Sequence, residues 1–104
     1  MDRDKVVSLR KRLGGDDYRP IADLLGVTVA CFKDWENGYG PIIEYFTKKL
    51  LGLSRITNAF PEDASAEQIL KFLRNYYPSI GGRPMDLMGT DREYLIFEKV
   101  WDVV

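Results

Sequence analysis

Apolar residues recur at helical spacing along most of the chain, and no segment sustains the strict apolar and polar alternation of a half-buried strand. Val6, Val7, Leu9, Arg10 and Leu13 mix apolar and basic positions on a helical repeat that Gly14-Gly15 stop. A first helix is therefore predicted over about residues 3–13, apolar side inward. Ile21, Leu24 and Leu25 then fall at i, i+3 and i+4 behind Asp17, a good N-cap, and Pro20 lies in the first turn, where its missing N–H costs little. This predicts a second helix over 17–25, ended by Gly26 in a left-handed conformation. Thr28 caps a third predicted helix over 28–37, with Phe32 and Trp35 on one face and Asn37-Gly38 as its stop.

Pro41 is expected to open a fourth helix carrying Ile42, Ile43, Phe46, Leu50 and Leu51, with Gly52 interrupting it. The turn residues, Pro61 and two acids between Asn58 and Ser65 mark a boundary. Ser65, with Gln68 three residues on, fits a capping box for a fifth helix bearing Ile69, Leu70, Phe72, Leu73 and Tyr76, which Pro78 closes. Gly81, Gly82 and Pro84 make a structured turn. Thr90 or Asp91 then caps a last helix with Tyr94, Leu95, Phe97, Val100 and Trp101 inward. The predicted class is all-α: five to six helices containing a helix-turn-helix in residues 1–57, and a C-terminal helical pair in residues 58–104. The apolar load of that pair exceeds what one hairpin can hide. It is expected either to dock on the first part or to form a homodimer interface.

Composition narrows the function classes. With 104 residues, 45% apolar and 30% charged, the chain has the make-up of an ordinary globular protein with one core. No apolar run approaches the roughly 18 residues of a membrane span, and the charged start has no apolar segment behind it, so no membrane association is expected and the cytoplasm is the default location. A single cysteine, Cys31, excludes an internal disulfide and is read as a packing residue, and the lack of histidine removes the usual zinc sites and every His-dependent triad. No metal, cofactor or catalytic residue is expected. Asp16-Asp17 are better read as a cap and Glu62-Asp63 as boundary charge. The net charge of −1 is unevenly placed: residues 1–56 carry ten Lys/Arg against eight Asp/Glu, and residues 57–104 carry five against eight. An acidic total does not forbid DNA binding, because the local field on the docking face decides it.

From Asp17 to Gly38, the joint pattern IADLLGVT (Ile21 to Thr28) and WENG (Trp35 to Gly38) resembles the helix-turn-helix of Xre/Cro-type transcriptional regulators. Each element has a mechanical reason. Ala22 is small where two helices cross, Gly26 permits the turn, Val27 fills the angle, and Phe32 and Trp35 anchor the third helix. The resemblance implies a sequence-specific regulator of double-stranded DNA, a repressor acting as a homodimer, with helix 28–37 in the major groove and helix 17–25 across the backbone. Thr28, Val29, Ala30, Lys33 and Asp34 then face DNA. Val29 and Ala30 offer only apolar contact to thymine methyls, and Lys33 is the best candidate for a base or phosphate contact. Asp34 reads a cytosine amino group, turns toward Lys33 or another cation, or is ordinary surface charge. Tyr18 stands where the family often has glutamine, its hydroxyl a candidate phosphate donor. Beside it Arg19, with Arg10, Lys11 and Arg12, can supply a positive rim. Asn37, Gly38, Tyr39 and Gly40 follow the third helix, where loop N–H groups can clamp phosphate.

In the C-terminal third, GGRPMDLMGTD (Gly81 to Asp91) followed by an acidic-apolar helix is similar to the toxin-binding region of Xre/ParS-type antitoxins, which pair with RES-domain toxins. That resemblance implies an antitoxin binding a toxin protein through Arg83 and the segment Trp101 to Val104, including both end residues. The alternative is an ordinary helix-to-helix connection, with the glycines turning the chain, Pro84 restarting a helix and Leu87 packed beneath.

Overall fold

The computed structural model describes residues 2–104, and within them the fold is all-α. Seven α-helices run in the order α1 (Arg3–Gly14), α2 (Arg19–Leu25), α3 (Val29–Glu36), α4 (Glu44–Ala59), α5 (Ala66–Arg74), α6 (Pro84–Leu87) and α7 (Tyr94–Val103), with a 3-10 turn at Pro78–Ile80. No strand occurs among the described residues; the one extended pairing is an isolated bridge between Tyr77 and Gly82.

The first three helices follow the predicted pattern closely. Asp2 caps α1 by accepting from the Lys5 N–H at 3.0 Å, and Val6, Leu9 and Leu13 are buried beneath it. Helix α2 starts at Arg19 with Tyr18, not Asp17, in the N-cap position and no side-chain capping bond; Asp17 stands one residue outside, where its Oδ1 accepts the Arg19 N–H at 3.0 Å. At the far end Gly26 adopts φ 73°, ψ 30°, a left-handed turn that a side chain would strain, and its N–H and that of Val27 close on Asp23 and Ala22 carbonyls. Thr28 then caps α3 through the Cys31 N–H at 3.1 Å, and Phe32 and Trp35 lie inside.

Farther along, the limits of α4 and α5 and the inward face of α7 differ from expectation for identifiable reasons. Helix α4 begins at Glu44, not at Pro41, because Ile43 is extended and acts as the cap, its carbonyl taking the Phe46 and Thr47 N–H groups. It runs unbroken through Gly52 to Ala59, past the expected boundary at Asn58. Gly52 is there for closeness: a β-carbon on it would collide with Glu93 Oε1 and stand 2.8 Å from the Gly89 N. Helix α5, with its Ser65 and Gln68 capping box formed, ends at Arg74 instead of at Pro78. Tyr77 is held extended by its bond to the Gly82 carbonyl at 3.0 Å, and Pro78 opens the 3-10 turn. Glu93, not Thr90 or Asp91, is the N-cap of α7, without a side-chain capping bond; it is buried in line with Ile96 and Val100, so Tyr94 and Trp101, expected inside, point to solvent at 62% and 77% exposure. The Gly81-to-Leu87 segment is a built connection: Gly81 turns the chain, Pro84 opens α6 and Leu87 is buried.

One continuous core joins Leu9, Leu13, Ile21, Phe32 and Leu53 to Phe72, Leu73, Ile96 and Val100. Helix α1 packs on α2, α3, α4 and α5, and α7 packs on α4, so the C-terminal helices dock on the first part of the chain through α1 and α4. Arg12 ties the α4–α5 connector to α1 by donating to the Pro61 and Glu62 carbonyls at 2.9 and 3.1 Å.

Candidate nucleic-acid interface

Helix α3 has two chemically distinct sides. Phe32, Trp35 and Glu36, at i, i+3 and i+4, are buried, while Ala30, Lys33, Asp34 and Asn37, at i, i+3, i+4 and i+7, form an exposed stripe. The buried side is fixed by aromatic contacts, with Trp35 set against Phe32 and Phe46 at ring separations of 5.9 and 5.3 Å. It is fixed again by charge. Arg10 Nε and Nη2 donate to the two Glu36 oxygens at 2.9 and 3.0 Å, and Arg10 Nη1 donates to the Gly15 carbonyl at 2.7 Å. The hydrogen bond to Glu36 and the charge of that carboxylate raise the Arg10 pKa above its ordinary value despite burial. Arg3 Nε donates to the Glu36 carbonyl at 2.7 Å, so α1 grips the end of α3 by side chain and backbone alike.

These bonds reassign several expected contact residues. Arg10 belongs to the core and Arg12 to the connector, so neither supplies the positive rim; Lys11 remains exposed. The Tyr18 hydroxyl, expected to donate to phosphate, donates to Glu36 Oε1 at 3.3 Å. What Tyr18 presents instead is its ring, against which the Arg10 guanidinium carbon lies at 4.6 Å and the Lys33 ammonium at 5.0 Å from the centroid. Arg19 is exposed but paired with both Asp17 oxygens at 3.0 Å. Its guanidinium holds the Asp17 carboxyl below the usual range, and Asp17 in turn raises Arg19. Three of the four amides in the loop after α3 are occupied: Asn37, Gly38 and Tyr39 N–H groups donate to the Lys33, Trp35 and Asp34 carbonyls. A phosphate clamp by the first three amides would have to break these internal bonds. The loop offers the Asn37 and Tyr39 side chains, both exposed.

Of the remaining positions only Val29 departs from the expected exposure, because it turns partly toward the core side of α3. Thr28 is exposed while its Oγ accepts the capping bond, Val29 is half-buried, and Ala30, Lys33 and Asp34 are open to solvent. Cys31 is a half-buried free thiol against the core. In the C-terminal region Arg83 is exposed and paired with Asp86 at 2.8 Å, which raises its pKa, and Val104 is exposed beside a groove of about 440 Å³ lined by Phe60, Phe72 and Lys71.

Glu36 is the residue the sequence reading passed over. Its signal was present: Glu36 continues the Phe32 and Trp35 stripe, and Arg10 continues the stripe of Val6, Leu9 and Leu13. Two opposite charges, each on an apolar face of neighbouring helices, identify a buried pair.

No family model matches the chain, and neither the curated proteins nor the solved structures yield a match to it.

Proposed function

We propose that the chain is a sequence-specific DNA-binding transcription regulator of the Xre/Cro type, a repressor that reads the major groove with α3, and not an enzyme. The observation that carries this reading is the separation of the two sides of α3. The inner side is locked by Phe32, Trp35 and the Arg10–Glu36 pair. The outer stripe of Ala30, Lys33, Asp34 and Asn37 is unobstructed on a helix joined to α2 by the tight Gly26 turn. A rigid helix with a free polar face is what base readout needs, because an interface built on ordered elements holds its contact groups in register.

On this reading Thr28, Ala30, Lys33, Asp34 and Asn37 meet the groove. Tyr39 and Lys11 lie at the rim, and a cytoplasmic homodimer places two such helices about 34 Å apart on an inverted repeat. Duplexes selected from a random pool test it. The chain should enrich a defined half-site and lose affinity steeply as salt rises. Enrichment of no sequence, with a flat salt profile, would refute it.

A specific observation favours a second reading, an antitoxin-like module that binds a toxin protein and autoregulates its own operon. Trp101 and Tyr94, seven residues apart on one side of α7, are 77% and 62% exposed although both are large and aromatic. Tryptophan and tyrosine are the residues that most often anchor protein interfaces. The two readings are compatible, since α3 and α7 are separate elements.

A further inference from the structure

Lys33 is the one cation on the exposed stripe of α3, and a lysine there is ordinarily a mobile point charge on a flexible stem. Here its ammonium lies 5.0 Å from the centroid of the Tyr18 ring. The same ring is fixed from behind. Its hydroxyl donates to Glu36 Oε1 at 3.3 Å, it packs T-shaped with the Phe32 ring at 6.1 Å between centroids, and Glu36 is in turn held by two bonds from Arg10. Arg10 also lies on the ring, but its guanidinium is committed to Glu36 and to the Gly15 carbonyl. Lys33 makes no ion pair among the described residues.

We infer that Tyr18 is a positioning residue for DNA contact, its ring holding the Lys33 ammonium in place on the outer side of α3 as the exposed end of a chain that begins at the buried Arg10–Glu36 pair. The inference rests on the DNA-binding reading and adds to it a role for the N-cap residue of α2 different from direct phosphate contact. A ring face attracts an ammonium through its electron density and uses up no single N–H, so the donors turned away from the ring stay available to a phosphate or a base edge. The hydroxyl bond to a carboxylate makes the ring more electron-rich and stiffens it. A cation held this way binds with less loss of side-chain freedom than a free lysine.

The experiment combines nuclear magnetic resonance on the free chain with a double-mutant cycle on a duplex selected by the wild type. In the free chain the Lys33 side-chain protons should carry an upfield ring-current shift, kept in Tyr18→Phe and lost in Tyr18→Leu. On DNA, Tyr18→Leu should weaken binding about two- to fivefold, as an exposed cation–ring contact allows. Tyr18→Phe should stay near wild type, and Tyr18→Leu added to Lys33→Ala should cost nothing more. Equal losses from Tyr18→Leu with and without Lys33, or a Lys33 shift indifferent to Tyr18→Leu, would overturn the inference. A wild-type chain that selects no duplex overturns the DNA reading and this role with it. An intact ring-current shift would then show that the reading failed while the contact itself stands.

Discussion

Arg10 and Glu36, twenty-six residues apart, meet as a two-bond pair with both side chains only 8% exposed. Removing one partner of such a pair strands a buried charge and costs about 3–5 kcal/mol, a large part of the total stability of a small domain. Glu36→Ala should therefore lower the urea midpoint strongly, whereas Arg10→Met combined with Glu36→Leu should recover much of the loss. A Glu36→Ala chain unfolding at the wild-type midpoint would show that the pair is not part of what holds α3.

Gly52 carries a second stability prediction. Helix α4 passes so near the turn before α7 that a β-carbon at Gly52 would collide with the Glu93 carboxylate, which accepts the Gly89 N–H at 2.8 Å and pairs with Arg55. In an exposed helix Gly→Ala would stabilise by up to about 1 kcal/mol; here overpacking should reverse the sign and cost about 1–3 kcal/mol. Thermal melts of Gly52→Ala against wild type decide it, and a raised midpoint would mean that α7 is not seated on α4.

How much of this was legible beforehand follows from the kind of signal each feature leaves. Local chemistry was readable: the Thr28 cap, the Gly26 turn, the Ser65 and Gln68 box and the buried Phe32 and Trp35 all act within a few residues of themselves. Gly52 was misread as an interruption because its reason lies at Gly89 and Glu93, distant in sequence. The inward face of α7 was misjudged because Tyr94 and Trp101 weigh heavily in an apolar count, while Glu93, a charge, takes the buried position through Arg55. At the candidate interface the stripe on α3 could be read from spacing. The loss of Arg10, of the Tyr18 hydroxyl and of the Asn37, Gly38 and Tyr39 amides to internal bonds could not, since each depends on partners contributed by another element or by the C-cap geometry.

The two tryptophans should separate cleanly. Trp35 is 7% exposed between two aromatic rings, and Trp35→Ala should cost about 3–5 kcal/mol. Trp101→Ala, at a position 77% exposed, should leave stability within about 0.5 kcal/mol of wild type. Chemical denaturation of both variants checks this. A large loss at Trp101 would place it in a packed contact of the free chain and remove the observation that favours a protein partner on α7.

Acid should loosen the start of α2. Asp17 is held below the usual carboxylate range chiefly by the Arg19 side chain and then by the Arg19 N–H, so its ionised form favours the folded chain. A depressed carboxyl contributes above its unfolded value of about 3.9 and loses that contribution as pH falls through the lower folded value. Stability from this pair should thus be flat near neutrality and decline only in acid. Carbon-detected titration of Asp17 should show its midpoint rising toward the ordinary value in Arg19→Ala; an unchanged midpoint would mean that the pair does not form in solution.

The stripe on α3 makes the most direct prediction about function. Lys33 and Asp34 are adjacent, exposed and opposite in charge, and neither forms an ion pair among the described residues, so each can be removed without stranding a buried charge. Lys33→Ala should leave the circular dichroism spectrum unchanged and weaken binding to a selected duplex. A base contact would cost about 1–3 kcal/mol and relax preference at one base pair, whereas a phosphate contact would weaken all sequences alike and reduce the salt slope by about one. Asp34→Ala separates two roles in the same titration. If the carboxylate accepts from a cytosine amino group, its loss should relax the choice at that position. If it is only a negative charge near phosphates, affinity should rise for every sequence and the salt slope steepen. Unchanged affinity, preference and salt slope in both variants would mean that this side of α3 does not face DNA, and the aromatic side of α7 would then become the surface through which the protein acts.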